Sequence, residues 1–503
     1  MKYLLGVDAG TSVVKSVIFD LSGHEIAVAR RETPLEHPFP NASEADMGTL
    51  WRLTAETIRE VSSRINTNEI AAIGIAGTAC GVWAVDKHLQ PLRKAILWND
   101  GRAANVIARW QENGFFKCSF EISGNAAFPG YPLSLLCWLK ENEVKILESA
   151  RHLLFHKDWL RLHLTGEVAT DVSDVGYFPG DIRKRNYSGE LLKEAGLELS
   201  DKLSSPHESS DVVGRVTRQA AGQTRLKENT PVVAGAVDVV ASLIGGGVIR
   251  AGQAGSVLGT SFLNSLVLDA PSFTPADTGV QTCMPDGLWE RSLVNTTGTS
   301  AIEWMLETMA RDITGENHYE TLAEVAQSSP VGSSGLVFLP YLSSAGIISP
   351  FANAQARGLF FGLSTEHTRA DLVHAVYEGL AFAMHDCYSV MEQKIESVVV
   401  VGGGARSNFL MQLFADVTGK TILVTNGTEF GAKGAALLAG VGAGVFENLE
   451  QAVNQCVHVE RSYEPNLKNS EKYREIYMLY KHLYTNAFES WQLRHEILSK
   501  LEG

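Results

Sequence analysis

The sequence has 503 residues, of which 45% are apolar and 20% charged, and its formal net charge is −14. This length exceeds what one hydrophobic core supports and predicts two sizeable domains, while the negative charge argues against a protein that binds nucleic acid or anionic membranes. The absence of a long uncharged apolar stretch and the six scattered cysteines favour a cytoplasmic protein with buried thiols and no membrane segment.

Two β-prone apolar runs within residues 4–19 flank a polar turn that contains Gly10, Thr11 and Ser12. The pattern predicts a β-hairpin. Gly10 would allow a ligand to approach the backbone, and Thr11, Ser12 and the turn amides would donate to phosphate oxygens. Asp8, just before the turn, would hold Mg²⁺ or a water bound to that ion. An ordinary hairpin turn uses the same residue types, so a purely structural interpretation also fits this stretch.

The hairpin is followed by a helical pattern over 47–65 and by an apolar strand pattern over 70–75. This order of hairpin, helix and strand predicts an α/β domain with a mixed sheet. The strand runs into a loop of small residues, Thr78, Ala79 and Cys80. Small side chains at the end of a strand would leave room for a ligand.

The next polar group, Trp98, Asp100 and Arg102, follows a short apolar run. Asp100 and Arg102 could hydrogen-bond a polyhydroxylated ligand while Trp98 offers an apolar face to its C–H groups. In the alternative interpretation, Asp100 caps a helix that begins at Arg102, and Arg102 pairs with a nearby acid. Further on, Phe128 and Tyr131 lie in a turn before a predicted helix over the following residues.

Three histidines, His152, His156 and His163, lie along an apolar stretch with helical spacing. They have no acidic third ligand at metal-ligand spacing, and the glutamate of a zinc-protease helix is missing. We therefore expect these histidines to pack or to cap helices rather than to bind a metal.

Asp238 stands between an apolar strand pattern over 231–237 and an apolar, helix-compatible run over 239–244. Aspartate is a preferred N-cap residue, so a capping role is one interpretation. The other is a functional acid, because the apolar surroundings should raise its pKa and so suit it to act as a general base near neutral pH. A triple glycine follows, and we expect a domain junction near Ile249, which divides the chain into 1–249 and 250–503.

A second hairpin pattern with a glycine and hydroxyl residues at its tip, Gly259, Thr260 and Ser261, opens the second half of the chain. Two turns of the same design near the starts of two halves indicate duplicated domains that present phosphate loops to each other across a cleft. Opposed loops of this kind could hold a polyphosphate.

A third glycine stretch lies between an apolar strand pattern and a predicted helix over 409–418; its residues are Gly402, Gly403, Gly404, Ala405 and Asn408. A strand, a glycine run and a helix N-terminus together are typical of nucleotide sites, although the spacing is not that of a dinucleotide fold. Next, the Ala- and Gly-rich stretch 431–436 predicts a tightly packed helix. The aromatic stripe over 471–498 predicts a helix docked on the core.

Taken together, these motifs resemble the FGGY family of carbohydrate kinases, members of the actin, hexokinase and Hsp70 ATPase superfamily, over nearly the whole chain. The resemblance implies two ribonuclease H-like α/β domains with mixed sheets flanked by helices and a cleft between them. Asp8 to Ser12 with Lys15 is similar to the first phosphate motif, and Gly259–Ser261 to the second. The stretch from Gly402 to Ala405, with Asn408, is similar to the adenosine motif.

The resemblance further implies the chemistry. Asp238 falls where the family has its catalytic base, so the chain is expected to transfer the γ-phosphate of Mg-ATP to a sugar hydroxyl. Trp98, Asp100 and Arg102 are similar to the family's sugar-binding segment, and Phe128 and Tyr131 lie in a loop similar to the sugar-lining loop of xylulose kinases. With the whole motif set, the capping interpretation of Asp238 becomes the minor one.

The acceptor is less well defined, because the Gly-Gln-Met-His-Gly loop of xylulose kinases is replaced here by Gly77-Thr78-Ala79-Cys80-Gly81, and Val239 replaces the usual asparagine after the base. We expect a xylulose-like ketopentose. Polyol kinases and L-xylulose or ketogulonate kinases are the alternatives, and a non-catalytic sugar sensor or a nucleotide-gated binding protein are alternatives of another class. Relatives are commonly homodimers, and no segment of this sequence specifies one.

Overall fold

The computed structural model describes residues 1–502. The chain forms two compact units. Unit 1 comprises residues 1–251, 267–291 and 427–458, and unit 2 comprises residues 252–266, 292–426 and those from 459 onward. Both are α/β units, as the sequence predicts, while the assignment of 1–249 and 250–503 to two family domains stays a prediction.

Residues 1–502 contain twenty-four strands. They are β1 (Tyr3–Ala9), β2 (Val13–Asp20), β3 (Glu25–Glu32), β4 (Glu44–Ala45), β5 (Ile70–Gly77), β6 (Trp83–Val85), β7 (Ala95–Ile96), β8 (His152–Leu154), β9 (Thr170–Asp171), β10 (Gly180–Asp181), β11 (Asn186–Tyr187), β12 (Pro206–His207), β13 (Val212–Arg215), β14 (Pro231–Val233), β15 (Ala236–Val237), β16 (Ala254–Leu258), β17 (Phe262–Leu268), β18 (Val280–Cys283), β19 (Trp289–Asn295), β20 (Val337–Leu339), β21 (Leu359–Phe361), β22 (Ser397–Val401), β23 (Thr421–Thr425) and β24 (Val459–Tyr463).

The helices follow the same numbering. They are α1 (Met47–Ser62), α2 (Ala104–Asn113), α3 (Phe115–Ser123), α4 (Pro132–Asn142), α5 (Val144–Ser149), α6 (His156–Thr165), α7 (Val172–Tyr177), α8 (Gly189–Glu194), α9 (Arg218–Thr224), α10 (Asp238–Gly245), α11 (Ser300–Met309), α12 (His318–Gln327), α13 (Arg369–Ser389), α14 (Asn408–Thr418), α15 (Phe430–Gly442), α16 (Leu449–Cys456) and α17 (Leu467–Glu502). None of the helices within residues 1–502 combines the length and the apolar character needed to cross a bilayer.

The sheet of unit 1 has the order β13-β14-β5-β1-β2-β3, and β15 also pairs with β5. β1, β2 and β3 are antiparallel neighbours, whereas β1, β14 and β15 run parallel to β5. This is the predicted mixed sheet. β5 is buried along its whole length, which explains its continuous apolar sequence.

Helix α15 crosses the sheet of unit 1 at very short range, as its small residues predict. A Cβ atom added to Gly74 of β5 would lie 1.9 Å from the carbonyl oxygen of Ala435, and one added to Gly434 would lie 1.8 Å from that of Ala241. Only hydrogen fits at these points. Gly74 therefore sets the separation of α15 from the sheet, and Gly434 sets the separation of α15 from helix α10.

Replacing Gly74 with Ala is expected to lower the free energy of unfolding by about 3 kcal/mol, the upper part of the usual range for overpacking, because the new methyl group overlaps backbone that cannot rotate away. Gly222→Ala is the matched control, since this exposed helical glycine has no atom within 4 Å of its added Cβ, and it should stabilise by about 0.5 to 1 kcal/mol. The melting temperatures of Gly74→Ala and Gly222→Ala, each measured against the wild type, test this prediction. Equal melting temperatures would contradict the packing argument.

In unit 2, the strands β19-β17-β16-β22-β23-β24 are neighbours in that order. β16, β22 and β23 run parallel, and β17 and β24 pair antiparallel with β16 and β23. Helix α17 docks through its aromatic stripe, as predicted. The buried members of the stripe are Tyr473, Tyr477, Tyr480, Tyr484 and Trp491.

Candidate active site

Three neighbouring strands of unit 1 end at one edge of the sheet. β1 and β15 both run parallel to β5, with Asp8 and Ala236 paired to the same residue, Ala76. Parallel strands present their carboxyl ends at the same edge, where open α/β sheets bind ligands. The structure therefore brings together Asp8, the loop after Gly77 and Asp238.

Asp8 lies partly buried at the end of β1, directly opposite Lys15 of β2. Burial raises its pKa to about 6; Lys15 opposes this shift and the carboxylate of Glu429 adds to it. Lys15 forms an ion pair with Glu429 at 2.9 Å. The predicted tight turn is present, since the Gly10 N–H donates to the carbonyl of Val13 at 3.0 Å.

Asp238 is the first residue of α10, and Val237 is the N-cap. The capping interpretation of Asp238 is therefore wrong by one position, although its Oδ1 accepts the Val239 N–H at 2.8 Å. No other residue among 1–502 donates a hydrogen bond to its Oδ2, although the backbone N–H of Asp238 itself lies close to the carboxylate and opposes the rise in its pKa. Burial raises the pKa of Asp238 to about 7, and the negative charge of Asp8 adds to that shift. The predicted upward pKa shift is thus present, and it suits a general base near neutral pH.

The loop after β5 is anchored on both sides. The Thr78 N–H donates to the Ala9 carbonyl at 3.1 Å, and the Thr78 hydroxyl hydrogen-bonds Nδ1 of His156 at 3.0 Å. His156 stacks on Trp83 with ring centroids 4.5 Å apart, and burial lowers its pKa to about 3, so the ring is neutral at physiological pH. Cys80 is buried in a left-handed conformation with φ of 66°.

His156 and His163 lie in helix α6 and stack on tryptophan rings, as expected. His152 belongs to strand β8 instead, and the predicted helical stretch is wrong at that residue. His163 stacks on Trp51 with ring centroids 4.9 Å apart. The hydrogen bond from His156 to Thr78 places one of these residues next to the candidate site, which the spacing pattern does not reveal.

Trp98 lies at the tip of the first hairpin, because its indole N–H donates to Oγ1 of Thr11 at 2.8 Å. Its side chain is 44% exposed. The loop with Phe128 and Tyr131 packs against the backbone of Trp98, since a Cβ added to Gly130 would lie 1.7 Å from the Trp98 carbonyl oxygen. Tyr131 is fully buried, whereas Phe128 is half-buried. Trp98 and Phe128 are therefore the more accessible of the predicted sugar-contacting side chains.

Asp100 and Arg102 pair with one another, and each has a further partner in the segment around Ser43 and Glu44. Oδ1 of Asp100 accepts the backbone N–H and Nε of Arg102, both at 2.8 Å, and the guanidinium also pairs with Glu44 at 2.6 Å. The capping interpretation is wrong here, because α2 begins two residues after Arg102 and its N-cap, Ala103, makes no side-chain capping bond. The ion-pair interpretation matches these contacts, and the sugar-binding role stays a prediction.

Arg102→Ala is expected to lower the free energy of unfolding by about 3 to 5 kcal/mol, because the buried carboxylate of Asp100 loses its cation. Glu44 keeps a second ion pair, with Arg93. The control is Arg109→Ala, which removes an exposed pair with Glu141 and should change stability by less than about 1 kcal/mol. Thermal unfolding compares the two variants. Unchanged stability in Arg102→Ala with a raised KM for the acceptor would contradict a mainly structural role.

In unit 2, the second hairpin tip is closed by the Gly259 N–H, which donates to the Ser261 carbonyl at 3.0 Å. A loop that the sequence pattern did not single out packs on it: the Thr299 N–H donates to the Gly259 carbonyl at 2.8 Å, and that of Gly298 to the Thr260 carbonyl at 2.7 Å. The only sequence signal for this loop is its own glycine and hydroxyl pattern.

The glycine stretch after β22 lies against the same hairpin. Gly402 has φ of 96°, and an added Cβ would lie 2.5 Å from the Leu258 carbonyl oxygen. Gly403 is exposed, whereas Gly404 and Ala405 are buried. The structure thus brings the predicted second phosphate motif and the predicted adenosine motif together within unit 2.

Asn408 begins α14, one residue before the predicted start of this helix. Its Oδ1 accepts from Arg461 at 2.7 Å and from the Tyr463 hydroxyl at 2.6 Å. Both partners lie on β24, more than fifty residues away in sequence, so sequence spacing could not have indicated them.

Comparison with known proteins agrees with this architecture. A sequence model of the N-terminal domain of the FGGY family of carbohydrate kinases matches residues 3–245, and one of the C-terminal domain matches residues 254–443. The chain is 32% identical to a xylulose kinase of Escherichia coli over 95% of this chain and 98% of that protein. It is 30% identical to an L-xylulose/3-keto-L-gulonate kinase of the same organism, over 96% of each chain.

Solved structures show the same fold. A ligand-bound xylulose kinase from Lactobacillus acidophilus superposes with a TM-score of 0.92 and 24% sequence identity, over 98% of this chain and 99% of that one. At this identity the likeness concerns the fold. The two-domain α/β architecture expected from the sequence is therefore confirmed.

Proposed function

The chain belongs to the FGGY family of carbohydrate kinases, and we propose that this ATP-dependent sugar kinase phosphorylates a hydroxyl of a xylulose-like ketopentose. The family supplies the reaction type, a phosphoryl transfer from ATP to a sugar. The acceptor is the part we propose. It is supported by the relatives named xylulose kinase that match almost the whole chain.

The observation that carries the proposal is the environment of Asp238. One carboxylate oxygen is held by the Val239 N–H, the other accepts a hydrogen bond from no other residue among 1–502, and the pKa is raised to about 7. A carboxylate with one fixed and one available oxygen is arranged to receive a proton from a bound hydroxyl. Asp238 is therefore the proposed catalytic base.

In the proposed step, Asp238 accepts the proton of the sugar hydroxyl as its oxygen forms a bond to the γ-phosphorus. The bond between that phosphorus and the bridging oxygen breaks, and ADP leaves with the bonding electrons. The loop of Thr78, Ala79 and Cys80 and the face of Trp98 are the proposed sugar contacts. Their small or flat surfaces suit a short polyhydroxylated ligand.

The nucleotide contacts are also proposals. In unit 1, Gly10, Thr11, Ser12 and Lys15 would donate to phosphate oxygens. In unit 2, Gly259, Thr260 and Ser261 would donate to phosphate oxygens as the second phosphate motif. The adenosine would be bound by the residues of the glycine stretch and the start of α14, which are Gly402, Gly403, Gly404, Ala405 and Asn408. The backbone N–H groups of such loops suit phosphate oxygens.

Asp8 fits a magnesium ion that keeps most of its waters. Mg²⁺ is typically held by one or two carboxylates together with substrate phosphates, and residues 1–502 hold no cluster of three acidic, histidine or cysteine side chains that would form a closed metal cage. Asp8, partly buried, is the proposed ligand, most simply through a water. When bound, the ion neutralises phosphate charge.

A second acceptor class has its own support. The loop Thr78-Ala79-Cys80 lacks the Met-His pair of xylulose kinases, and a relative named L-xylulose/3-keto-L-gulonate kinase matches as much of the chain as the xylulose kinases do. An L-ketose or keto acid is therefore the first alternative acceptor, and a small polyol is the second. A cytoplasmic location and a homodimer stay predictions.

ADP formation by the purified protein with Mg-ATP tests the acceptor directly. The panel holds D-xylulose, L-xylulose, 3-keto-L-gulonate and erythritol, with no acceptor as the blank. Preference for D-xylulose in kcat/KM supports the proposal, and preference for either L-acceptor supports the alternative. Turnover with erythritol alone would overturn both ketose assignments.

A further inference from the structure

Five charged side chains form a buried cluster in unit 1 beside the strand that leads into Asp238. Each is at most 1% exposed; they are Lys157, Asp158, Arg161, Asp171 and Asp174. Charged side chains are rarely buried completely in folded proteins unless they are paired with opposite charges. The mechanism proposed above uses none of them.

The cluster is held together by direct ion pairs. The Lys157 ammonium lies 3.0 Å from Asp158 and 2.9 Å from Asp171, and it also contacts Asp174. Arg161 pairs with Asp158 at 2.9 Å and donates to the carbonyl of Ala234. The guanidinium thus holds the chain four residues before Asp238.

A second set of hydrogen bonds links the cluster to the residue directly before Asp238. The Ser173 hydroxyl donates to Asp171 at 2.8 Å, and the same oxygen accepts the backbone N–H of Val237 at 2.9 Å. Val237 is the N-cap of α10, and the next residue is Asp238. Ser173 therefore connects the ionic cluster to the backbone that carries the proposed base.

The direction of these hydrogen bonds is fixed by charge. Burial alone would raise the pKa of Asp171, but Lys157 and the hydroxyls of Ser209 and Ser173 hold it below its usual value. Asp171 is therefore ionised and can only accept. The Ser173 proton must point to Asp171, which leaves a lone pair of its oxygen for the Val237 N–H.

We propose that Ser173, oriented by Asp171, is a positioning residue that fixes the backbone at Val237 and thereby the carboxylate of Asp238. This inference rests on the proposed function, in which Asp238 is the base. Asp238 has a single side-chain anchor, the Val239 N–H, so its placement depends on the backbone before it. Errors of about 1 Å in such a group lower turnover on the order of 100-fold.

The test compares Ser173→Ala with Ser209→Ala. Both substitutions remove a buried hydroxyl that donates to Asp171, at 2.8 and 2.7 Å, but the Ser209 side chain makes no bond to Val237. We expect Ser173→Ala to lower kcat on the order of 10- to 100-fold with little change in the KM for the acceptor. Ser209→Ala should keep the kcat of the wild type even though its melting temperature falls.

For each variant, calorimetry measures the concentration of acceptor-binding sites, and kcat is calculated per site. A lower kcat in Ser173→Ala then cannot result from a fraction of unfolded protein. Ser173→Thr, which keeps the hydroxyl, should recover most of the turnover. Equal kcat in the two alanine variants, or no recovery in Ser173→Thr, would overturn the positioning role. A wild type that phosphorylates no acceptor would instead overturn the proposed function, and this inference with it.

Discussion

Asp238→Asn is expected to lower kcat by about 10³-fold, within the range that a general base contributes. The amide oxygen can still accept the Val239 N–H, so the helix start is retained, but the side chain can no longer take a proton from the acceptor. ADP formation at saturating Mg-ATP and acceptor measures the effect. The KM for the acceptor should change much less than kcat, because the shape of the site is preserved.

Stability gives an independent check with a definite sign. The pKa of Asp238 is raised from its ordinary value of 3.8 to about 7 in the folded protein, so the folded state holds a proton that the unfolded state releases. The contribution of Asp238 to the stability of the wild type should therefore fall as the pH rises from about 4 to 7. Asp238→Asn has no carboxyl group to ionise and so does not lose stability in this way. At pH 8 its melting temperature should be at least as high as that of the wild type.

The control for this variant is Asp201→Asn, an exposed aspartate in the same unit, which should leave kcat unchanged. A kcat for Asp238→Asn within threefold of the wild type would remove Asp238 from its role as the base. A large fall in both melting temperature and acceptor binding would point instead to a structural role for the carboxylate.

Local patterns account for the parts of the fold and site that the sequence predicts well. The hairpin around Gly10 follows from β-prone runs interrupted by turn residues, and the apolar runs on either side of Asp238 already indicate that burial raises its pKa, although the contribution of the Asp8 charge comes from a distant part of the chain. Helix α15 packs closely because its residues are small. In each of these stretches the residues that determine the structure lie within a few positions of one another.

The remaining features depend on partners that are distant in the chain. The sequence around Asp100 indicates either a ligand contact or a helix cap, yet its bond to the Ser43 N–H and the pairing of Arg102 with Glu44 involve a segment more than fifty residues earlier. The bond between Ser173 and Val237 spans sixty-four positions. Nor does a sequence pattern reveal that residues 427–458 belong to the same compact unit as the N-terminus.

Asp8→Asn should lower kcat on the order of 100-fold and also change how activity depends on pH. In the wild type, Asp8 and Asp238 titrate near pH 6 and 7, and the proposed roles require both to be ionised. The logarithm of kcat/KM should therefore rise with a slope approaching two below about pH 6, and level off above pH 7. A stopped assay across pH 5 to 9 measures this profile.

In Asp8→Asn only one ionisation remains, so the slope of the acid limb should fall to one. The limb should also move to lower pH, because the negative charge that helps to raise the pKa of Asp238 is gone. The control is Asp20→Asn, at the opposite end of the same hairpin, where Asp20 pairs with Tyr3, and there the limb should stay in place. An unmoved limb in Asp8→Asn would mean that the two carboxylates do not interact, and that burial alone raises the pKa of the base.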